Sequence, residues 1–224
     1  MRVILFGGSG MVGQGVLREC IRDPAITEVL AIGRTALGDA AGKLKELVAP
    51  DLYDLSGVEG RLSGFDACFF CLGVSAGGMS EADYRRVTYD MTISAARTLA
   101  RLNPAMVFEY VSGAGTDSAE KGRTMWARVK GATENELLRI GFTSAYMFRP
   151  GLIQPLDGIQ SKTKSYRLIY TVVGPVLPLL KRMFPKYVTS TAELARAMIR
   201  VARVGYSKHV IEANEIGEIA GHAG

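Results

Sequence analysis

The feature that most constrains the fold of this chain is the arrangement of its first thirteen residues. An apolar run from Val3 to Phe6 leads directly into a glycine-rich turn, Gly7-Gly8-Ser9-Gly10, and a pattern typical of an amphipathic helix follows. Glycine has no Cβ, so the backbone N–H groups of such a turn can approach an anion closely, and the N-terminus of the following helix adds a partial positive charge. A strand, a glycine turn and a helix in this order predict a binding site for the phosphates of a nucleotide.

Strand and helix patterns alternate along the rest of the chain. Apolar runs typical of strands fall at 2–6, 28–32, 46–53 (the weakest), 66–72, 105–112, 143–148 and 209–213, and helical patterns fall at 11–22, 81–102, 122–139 and 191–203. This alternation predicts an α/β fold with a doubly wound parallel sheet covered by helices on both faces. We expect residues 1–155 to form the nucleotide-binding core and residues 156–224 to add a small C-terminal substrate region that completes the same domain.

Composition and charge exclude several classes of function. With 48% hydrophobic and 22% charged residues, the chain has the composition of an ordinary globular protein. The net charge of +5 comes from scattered basic residues and no nucleic-acid-binding motif is present, so we expect no nucleic acid as partner. The two histidines, His209 and His222, lie near the C-terminus, and we expect neither a histidine-based triad nor a metal site.

The three cysteines indicate a cellular environment rather than a functional site. Their odd number, with no secretory signal, favours a reducing, cytoplasmic location. Cys68 and Cys71 form a C-x-x-C pattern, but they lie in an apolar run of the buried-strand type. Residues three apart in a strand point to opposite faces, so the two sulfur atoms are not expected to form a redox pair.

The end of the second strand, Gly33-Arg34-Thr35, predicts the type of dinucleotide. Proteins that prefer NAD commonly place a carboxylate here to bind the ribose 2′-hydroxyl. A guanidinium at Arg34 instead suits a 2′-phosphate, which favours NADP(H), although a solvated arginine at a strand end is the alternative. Asp54 and Leu55 follow the third strand and are either adenine contacts or an ordinary surface turn.

Several motifs together carry a resemblance to a known family. They occur in order, each at a strand end or helix start, and are Gly7-x-x-Gly10-x-x-Gly13, Gly33-Arg34, Asp54, Cys71-Leu-Gly73, Val111-Ser112, Val129-Lys130-Gly131 and Arg149-Pro-Gly151. Over about the first 155 residues the chain resembles an atypical or extended short-chain dehydrogenase/reductase. It is most similar to the Tat-interacting-protein-like and NmrA-like branch, often labelled NAD-dependent epimerase/dehydratase.

The resemblance implies a Rossmann fold, NADP(H) as cofactor and a set of cofactor contacts. The pyrophosphate would be held by Gly7, Ser9, Gly10, Met11, Val12 and Gly13, and the 2′-phosphate by Arg34 and Thr35. Lys130 would hold the nicotinamide ribose. Further cofactor contacts would come from Asp54, Leu55, Leu72, Gly73, Pro150 and Gly151.

The catalytic positions implied by the family depart from its pattern. The family uses a hydroxyl residue at the end of the fifth strand and Tyr-x-x-x-Lys in the next helix. Here Lys130 is present, but the tyrosine position holds Trp126, whose indole cannot exchange a proton near neutral pH. Losing a positioned acid or base typically removes ~10²–10⁴-fold of rate. Ser112 would polarise a substrate carbonyl, and the Trp126 side chain would form one wall of the site.

Other positions bear on the proton relay. The catalytic register of the fifth strand could fall on Gly113, and Thr88 stands where extended members often have a supporting asparagine. Tyr110, Tyr146 and Tyr166 are candidate replacements for the missing tyrosine, and for each a packed tyrosine is the alternative.

The segment 162–187 is basic at both ends and apolar in the middle. Its apolar stretch of 13 residues, Leu168 to Leu180, is too short to span a bilayer, which takes about 20 residues, and two prolines interrupt it. Helices packed on the sheet, a lid over an apolar substrate, a homodimer contact and a peripheral membrane contact all remain open.

The sequence therefore predicts an NADP(H)-binding, reductase-like protein. Its expected reaction is hydride transfer with a small apolar carbonyl, quinone or sugar-like substrate. The alternative is a catalytically weak regulator that senses NADP(H) and acts through a protein partner.

Overall fold

The apolar runs of the sequence form one parallel sheet. The computed structural model describes residues 1–38, 42–156 and 187–221. Within them the strands are β1 (Arg2–Phe6), β2 (Glu28–Gly33), β3 (Leu44–Val48), β4 (Ala67–Phe70), β5 (Val107–Val111), β6 (Ser144–Arg149), β7 (Leu152–Gln154), β8 (Val188–Ser190) and β9 (Val210–Glu212). The α-helices are α1 (Met11–Arg22), α2 (Glu81–Arg85), α3 (Met91–Leu102), α4 (Met125–Leu137), α5 (Thr191–Val204) and α6 (Ala213–Gly221).

Seven strands make the main sheet, in the order β3-β2-β1-β4-β5-β6-β9, and all neighbouring pairs are parallel. The chain runs outward from β1 to β3, returns, and continues outward on the other side from β4. The order therefore reverses between β1 and β4, which is where ligands bind in doubly wound sheets. This arrangement confirms the predicted Rossmann fold.

Alternate residues of each strand build two separate cores. One face, which carries Val3, Leu5 and Phe69, packs against α1, α5 and α6. The other face, which carries Ile4, Phe6 and Phe70, packs against α3 and α4. Because both faces are covered, the strands are almost continuously apolar, as the sequence showed.

Several predicted boundaries were wrong. The third strand spans 44–48 rather than 46–53, and its last bond to β2 is donated by the Ala49 N–H to the Gly33 oxygen at 3.0 Å. The predicted helix 81–102 is divided into α2 and α3 by a π-helical turn at Arg86–Asp90. The short pair β7–β8 forms a second parallel sheet that the sequence did not predict.

The C-terminal residues 188–221 return to the main sheet, where β9 pairs with β6 and α5 packs against α1. The predicted boundary at residue 155 stays a prediction. Tyr166, His222 and all of the segment 162–187 except Tyr187 lie outside the described residues. In the ranges described, no helix combines the length and apolar character needed to cross a bilayer.

Candidate functional site

A cavity of about 460 Å³ opens at the carboxyl ends of β1 and β2, beside the point where the strand order reverses. Its size is within the usual range for small-molecule and cofactor sites. Five residues predicted from the sequence line it, and they are Gly7, Ser9, Arg34, Thr35 and Leu72. Gly8, in the glycine turn, and Gly33, at the end of the second strand, also line it. Sequence reasoning missed the other lining residues, which are Ala31, Ile32, Ala36, Leu37, Glu46, Leu47, Val48 and Leu52.

The glycine turn is closed so tightly that side chains are excluded. Gly7 has φ +81°, and a Cβ added to it would lie 2.8 Å from backbone atoms of Cys71 and Leu72. A Cβ on Gly13 would lie 2.0 Å from the carbonyl oxygen of Gly7. The turn is held by the Gly10 N–H, which donates to the Gly7 oxygen at 2.8 Å.

The N-terminus of α1 faces this turn without a side-chain cap. Gly10 occupies the N-cap position, and no side chain hydrogen-bonds there. The first turn of α1 also carries no acidic residue. The first N–H groups of a helix have no partner within the helix, so they are donors for an anion at this place. Met11 and Val12 lie in this first turn and are half-buried.

The loop after β2 carries the exposed side chains of Arg34 and Thr35 to the cavity. Glu46 on β3 fixes the next part of this loop, because its two carboxylate oxygens accept the N–H groups of Leu37 at 2.8 Å and Gly38 at 3.1 Å. The carboxylate lines the same cavity, but it is directed at the backbone of the loop. It therefore holds the loop that presents Arg34.

The remaining predicted cofactor residues lie outside the lining of the cavity. Asp54 is exposed and accepts the Ser56 N–H at 2.9 Å, a bond that lowers the pKa of its carboxyl. Leu55 is buried in the core, and Gly73 is exposed. The Pro150 oxygen accepts the Ala114 N–H at 2.8 Å.

Gly151 has a packing role. A Cβ at this position would lie 2.4 Å from the carbonyl oxygen of Tyr187, so glycine allows the chain before β8 to approach. Its assignment as a cofactor contact, like that of the four residues above, stays a prediction.

Helix α4 presents Trp126, Lys130 and Glu134 on one face, because the residues are four apart. Trp126 is half-buried, and its indole lies over the loop after β5, where a Cβ on Gly115 would be 3.6 Å from the ring. Lys130 is half-buried, and its Nζ donates to the carbonyl oxygen of Ser112. Burial lowers the pKa of Lys130 to about 8, although the nearby carboxylate of Glu134 opposes the shift.

Ser112 and Glu134 belong to a buried polar network. The Ser112 hydroxyl lies 2.5 Å from Oε1 of Glu134 and 3.1 Å from the carbonyl oxygen of Phe148. Arg149, at the end of β6, donates Nε to both oxygens of Glu134 and Nη1 to Glu212 at 3.0 Å. The Ser112 hydroxyl is thus engaged by protein groups, and its role toward a substrate carbonyl stays a prediction.

Neither described candidate for the missing tyrosine is open to solvent. Tyr110 is 1% exposed, and burial raises the pKa of its phenol. Tyr146 is buried, and its hydroxyl accepts the Tyr206 N–H at 3.1 Å. Thr88 is buried in the π-helical turn, and its hydroxyl has no hydrogen-bond partner among the described residues.

The cysteines lie as the strand geometry predicts. Cys68 belongs to the core under α3 and α4, whereas Cys71 packs on the opposite core, and all three cysteines are free. Burial raises the pKa of the Cys68 and Cys71 thiols.

Comparison with known proteins places these features in a family. The chain is 31% identical over 159 residues to "Protein fmp52, mitochondrial" of Aspergillus fumigatus. This match covers 67% of this chain and 66% of that protein. It is 27% identical over 154 residues to "Protein HTATIP2" of Rattus norvegicus, over 67% of this chain and 62% of that protein. The chain thus spans about two thirds of the length of these relatives. No family model matches it.

A solved structure supports the fold. The dTDP-glucose 4,6-dehydratase DesIV from Streptomyces venezuelae, solved with NAD and TYD bound, superposes with a TM-score of 0.70. The match is 16% identical and covers 98% of this chain and 80% of that chain. The chain belongs to the atypical short-chain dehydrogenase/reductase family. This family of Rossmann-fold reductases and epimerases is the one that the ordered motifs indicated.

The relatives correct the predicted location. Proteins from Aspergillus fumigatus, Emericella nidulans and Candida albicans that match this chain are named mitochondrial, which contradicts the cytoplasmic expectation. That expectation was wrong because it depended on free thiols. Free thiols indicate that a compartment is reducing, but they do not identify the compartment.

Proposed function

We propose that this chain binds NADP(H) and acts as a reductase of the atypical short-chain type. The observation that carries the proposal is the cavity at the carboxyl ends of β1 and β2, with the glycine turn on one wall and Arg34 on another. The substrate would be a small apolar carbonyl, quinone or sugar-like molecule. When bound, the dinucleotide supplies the hydride.

The glycine turn fits a pyrophosphate. Backbone atoms occupy the space that side chains at Gly7 and Gly13 would need, so the main chain itself forms the cradle. The N-cap of α1 has no side chain to compete with an anion for the helix N–H groups. The solved dehydratase with the same fold was obtained with NAD bound, which agrees with a dinucleotide here.

The choice of NADP(H) over NAD(H) depends on Arg34. The exposed guanidinium and the Thr35 hydroxyl reach the cavity from the loop after β2, where a forked donor suits a 2′-phosphate. The acidic lining residue, Glu46, uses its oxygens on the N–H groups of Leu37 and Gly38. Its charge is thereby partly satisfied by the loop rather than offered to a ribose hydroxyl.

Calorimetric titration with NADPH and NADH tests the proposal. A charged hydrogen bond contributes roughly 1.5–3 kcal/mol, so NADPH should bind about 10- to 100-fold more tightly. Arg34→Ala should remove most of this preference and leave the NADH affinity nearly unchanged. Arg139→Ala is a control outside the cavity, since that exposed guanidinium lies 3.9 Å from the Glu136 carboxylate of α4. Equal affinities for the two dinucleotides in the natural protein would contradict the assignment.

A second candidate function is a sensor of NADP(H) that acts through a protein partner. Two observations favour it: Trp126 occupies the tyrosine position, and the Ser112 hydroxyl is engaged by Glu134. A sensor needs the dinucleotide site but not proton transfer.

The two candidates differ in turnover. Oxidation of NADPH with an apolar quinone or aldehyde should be slow in the natural protein, and Trp126→Tyr should raise it if the site is catalytic. Unchanged dinucleotide affinity in Trp126→Tyr is the control. Absence of turnover in both proteins, with NADPH bound, would favour the sensor.

A further inference from the structure

The Arg34 side chain lines the proposed dinucleotide cavity without support from another side chain. It is exposed, and within the described parts of the chain its guanidinium forms no hydrogen bond and no ion pair. A long side chain of this kind keeps many rotamers until a ligand orders it. The backbone on either side of Arg34 therefore decides where the guanidinium is presented.

That backbone is held at both ends from the same direction, by the edge strand β3. On one side the Ala49 N–H, directly after β3, donates to the Gly33 oxygen at 3.0 Å. On the other side the Glu46 carboxylate accepts the N–H of Leu37 at 2.8 Å and that of the next residue at 3.1 Å. The exposed span 34–36 thus lies between two anchors, and one of them is a side chain.

The position of Glu46 is itself fixed. Its backbone lies in the middle of β3, in register with Ala31 of β2. On the outer edge of the strand, the Arg61 guanidinium donates to the Glu46 carbonyl oxygen at 3.1 Å. The strand is therefore held on both sides at this residue, and the carboxylate is a firm point of attachment for the loop.

Glu46 and Arg34, both in the described part of the chain, line the same cavity without forming an ion pair with each other. A carboxylate paired with Arg34 would compete with a phosphate for the guanidinium. Here the carboxylate oxygens accept backbone N–H groups. Glu46 therefore orders the loop and leaves the guanidinium available to a ligand.

The charge of Glu46 and its hydrogen bonds act on a bound 2′-phosphate in opposite directions. A carboxylate in the cavity repels a phosphate, so loss of the charge alone would strengthen NADPH binding. Loss of the hydrogen bonds frees the loop, which must then be ordered when the ligand binds, and this weakens NADPH binding. At an exposed site salt screens the repulsion, whereas hydrogen bonds to a charged group are among the stronger ones in proteins.

We infer that Glu46 is a positioning residue that sets the preference for NADPH by holding the loop that presents Arg34. The inference rests on the proposed assignment of Arg34 to the 2′-phosphate. It predicts that removing a negative charge from the cavity weakens the binding of an anion, which is the reverse of the electrostatic expectation.

Calorimetric titration of the full chain with NADPH and NADH tests the inference. Glu46→Ala should weaken NADPH binding about 10-fold, the loss expected for charge-assisted hydrogen bonds, and leave NADH binding nearly unchanged. Glu46→Gln loses the charge but keeps one oxygen as an acceptor, so its NADPH affinity should fall between those of Glu46→Ala and the natural protein. Tighter NADPH binding by both variants would overturn the inference, because the charge would then be what matters.

A double variant shows whether Glu46 acts through Arg34. Arg34→Ala/Glu46→Ala should bind NADPH no more weakly than Arg34→Ala alone, because a loop without the guanidinium gains nothing from being held. Losses that multiply in the double variant would show that the two residues act independently and would overturn the inference. A merely structural defect would weaken NADPH and NADH binding alike, so the ratio of the two affinities separates it from positioning.

Glu28→Gln is the matched control. Glu28 begins β2, at the opposite end of the strand from the cavity, and its carboxylate accepts a hydrogen bond from Arg2 at 3.1 Å. Loss of this carboxylate should leave both affinities unchanged. An unaltered preference for NADPH in Glu46→Ala would overturn the inference and leave the proposed cofactor intact. Equal affinities for NADPH and NADH in the natural protein would contradict the assignment of Arg34, and the inference with it.

Discussion

The glycine turn and the polar network around Glu134 lie at the same edge of the sheet, but they are built in opposite ways. At the glycine turn, backbone contacts exclude a side chain at Gly7, the turn lines an open cavity, and the N-terminus of α1 that follows has no side-chain cap. At the ends of β5 and β6, the polar side chains of Ser112, Glu134 and Arg149 bind one another. The first region leaves space for a ligand, whereas the polar side chains of the second are hydrogen-bonded to one another.

This comparison separates two sets of residues at the site, those that would hold the dinucleotide and those that would transfer protons. In the proposed function, the dinucleotide is held mainly by the backbone geometry of the glycine turn. The parts that move protons depend on single side chains, and here one is a tryptophan and another is held by a buried carboxylate. The proposed function therefore assigns binding and chemistry to different parts of the site, and the following experiments measure each part.

The largest effect is expected from Glu134→Ala. Glu134 is 1% exposed and carries the charge that balances Arg149, and breaking a buried ion pair typically costs about 3–5 kcal/mol. Glu136→Ala is the matched control two residues along the same helix, because Glu136 pairs with exposed arginines and should cost less than about 1 kcal/mol. Urea denaturation measures both, and equal losses would show that the network is not structural.

Gly13→Ala tests whether the glycine turn is as rigid as its contacts imply. The added Cβ would lie 2.0 Å from the Gly7 oxygen, so we expect a loss of about 1–3 kcal/mol from overpacking. NADPH affinity should fall as well, because the backbone must shift at the cradle. Gly217→Ala, in α6 with no atom within 4 Å of the new Cβ, should be neutral or stabilising. Undiminished NADPH binding by Gly13→Ala would contradict the cradle.

A smaller effect is expected from the titration of Lys130, which lies between the two regions. Burial lowers its pKa to about 8, so its positive charge is present below pH 8 and is lost as the pH rises above it. If Lys130 holds the cofactor, affinity for NADPH and NADH should fall together, about 3- to 10-fold between pH 7 and pH 9. Lys130→Arg should remove this dependence. A constant affinity over that range in the natural protein would show that the Lys130 charge does not contribute.

Much of the first region could be predicted from the sequence. Glycines at positions 7, 10 and 13 after an apolar run specify a backbone geometry, and Arg34 follows the next strand at a recognisable place. Glu46 was missed because its role depends on the register of β3 with β2, which brings it to the loop after Gly33. The predicted range of β3 was itself displaced by two residues at its start.

The second region was harder to predict because its contacts are distant along the chain. Ser112 could be named as a hydroxyl at a strand end, but not that Glu134 would engage it from α4. A signal was present: Glu134 stands four residues after Lys130 on the same helical face, and Arg149 ends an otherwise apolar strand. Charged residues in such buried positions are rarely left without a partner.

Glu109 has a consequence for folding itself. It lies in the middle of β5, fully buried, and neither carboxylate oxygen has a hydrogen-bond partner among the described residues. Burial raises its pKa well above the ordinary value, so the folded chain holds this group as a neutral acid while the unfolded chain at neutral pH releases the proton. Folding is therefore coupled to proton uptake, and stability should decline as the pH rises above the ordinary pKa of a glutamate. Unfolding heats that differ between buffers of unlike ionisation enthalpy, and differ by a changed amount in Glu109→Met, would reveal the proton exchanged by Glu109.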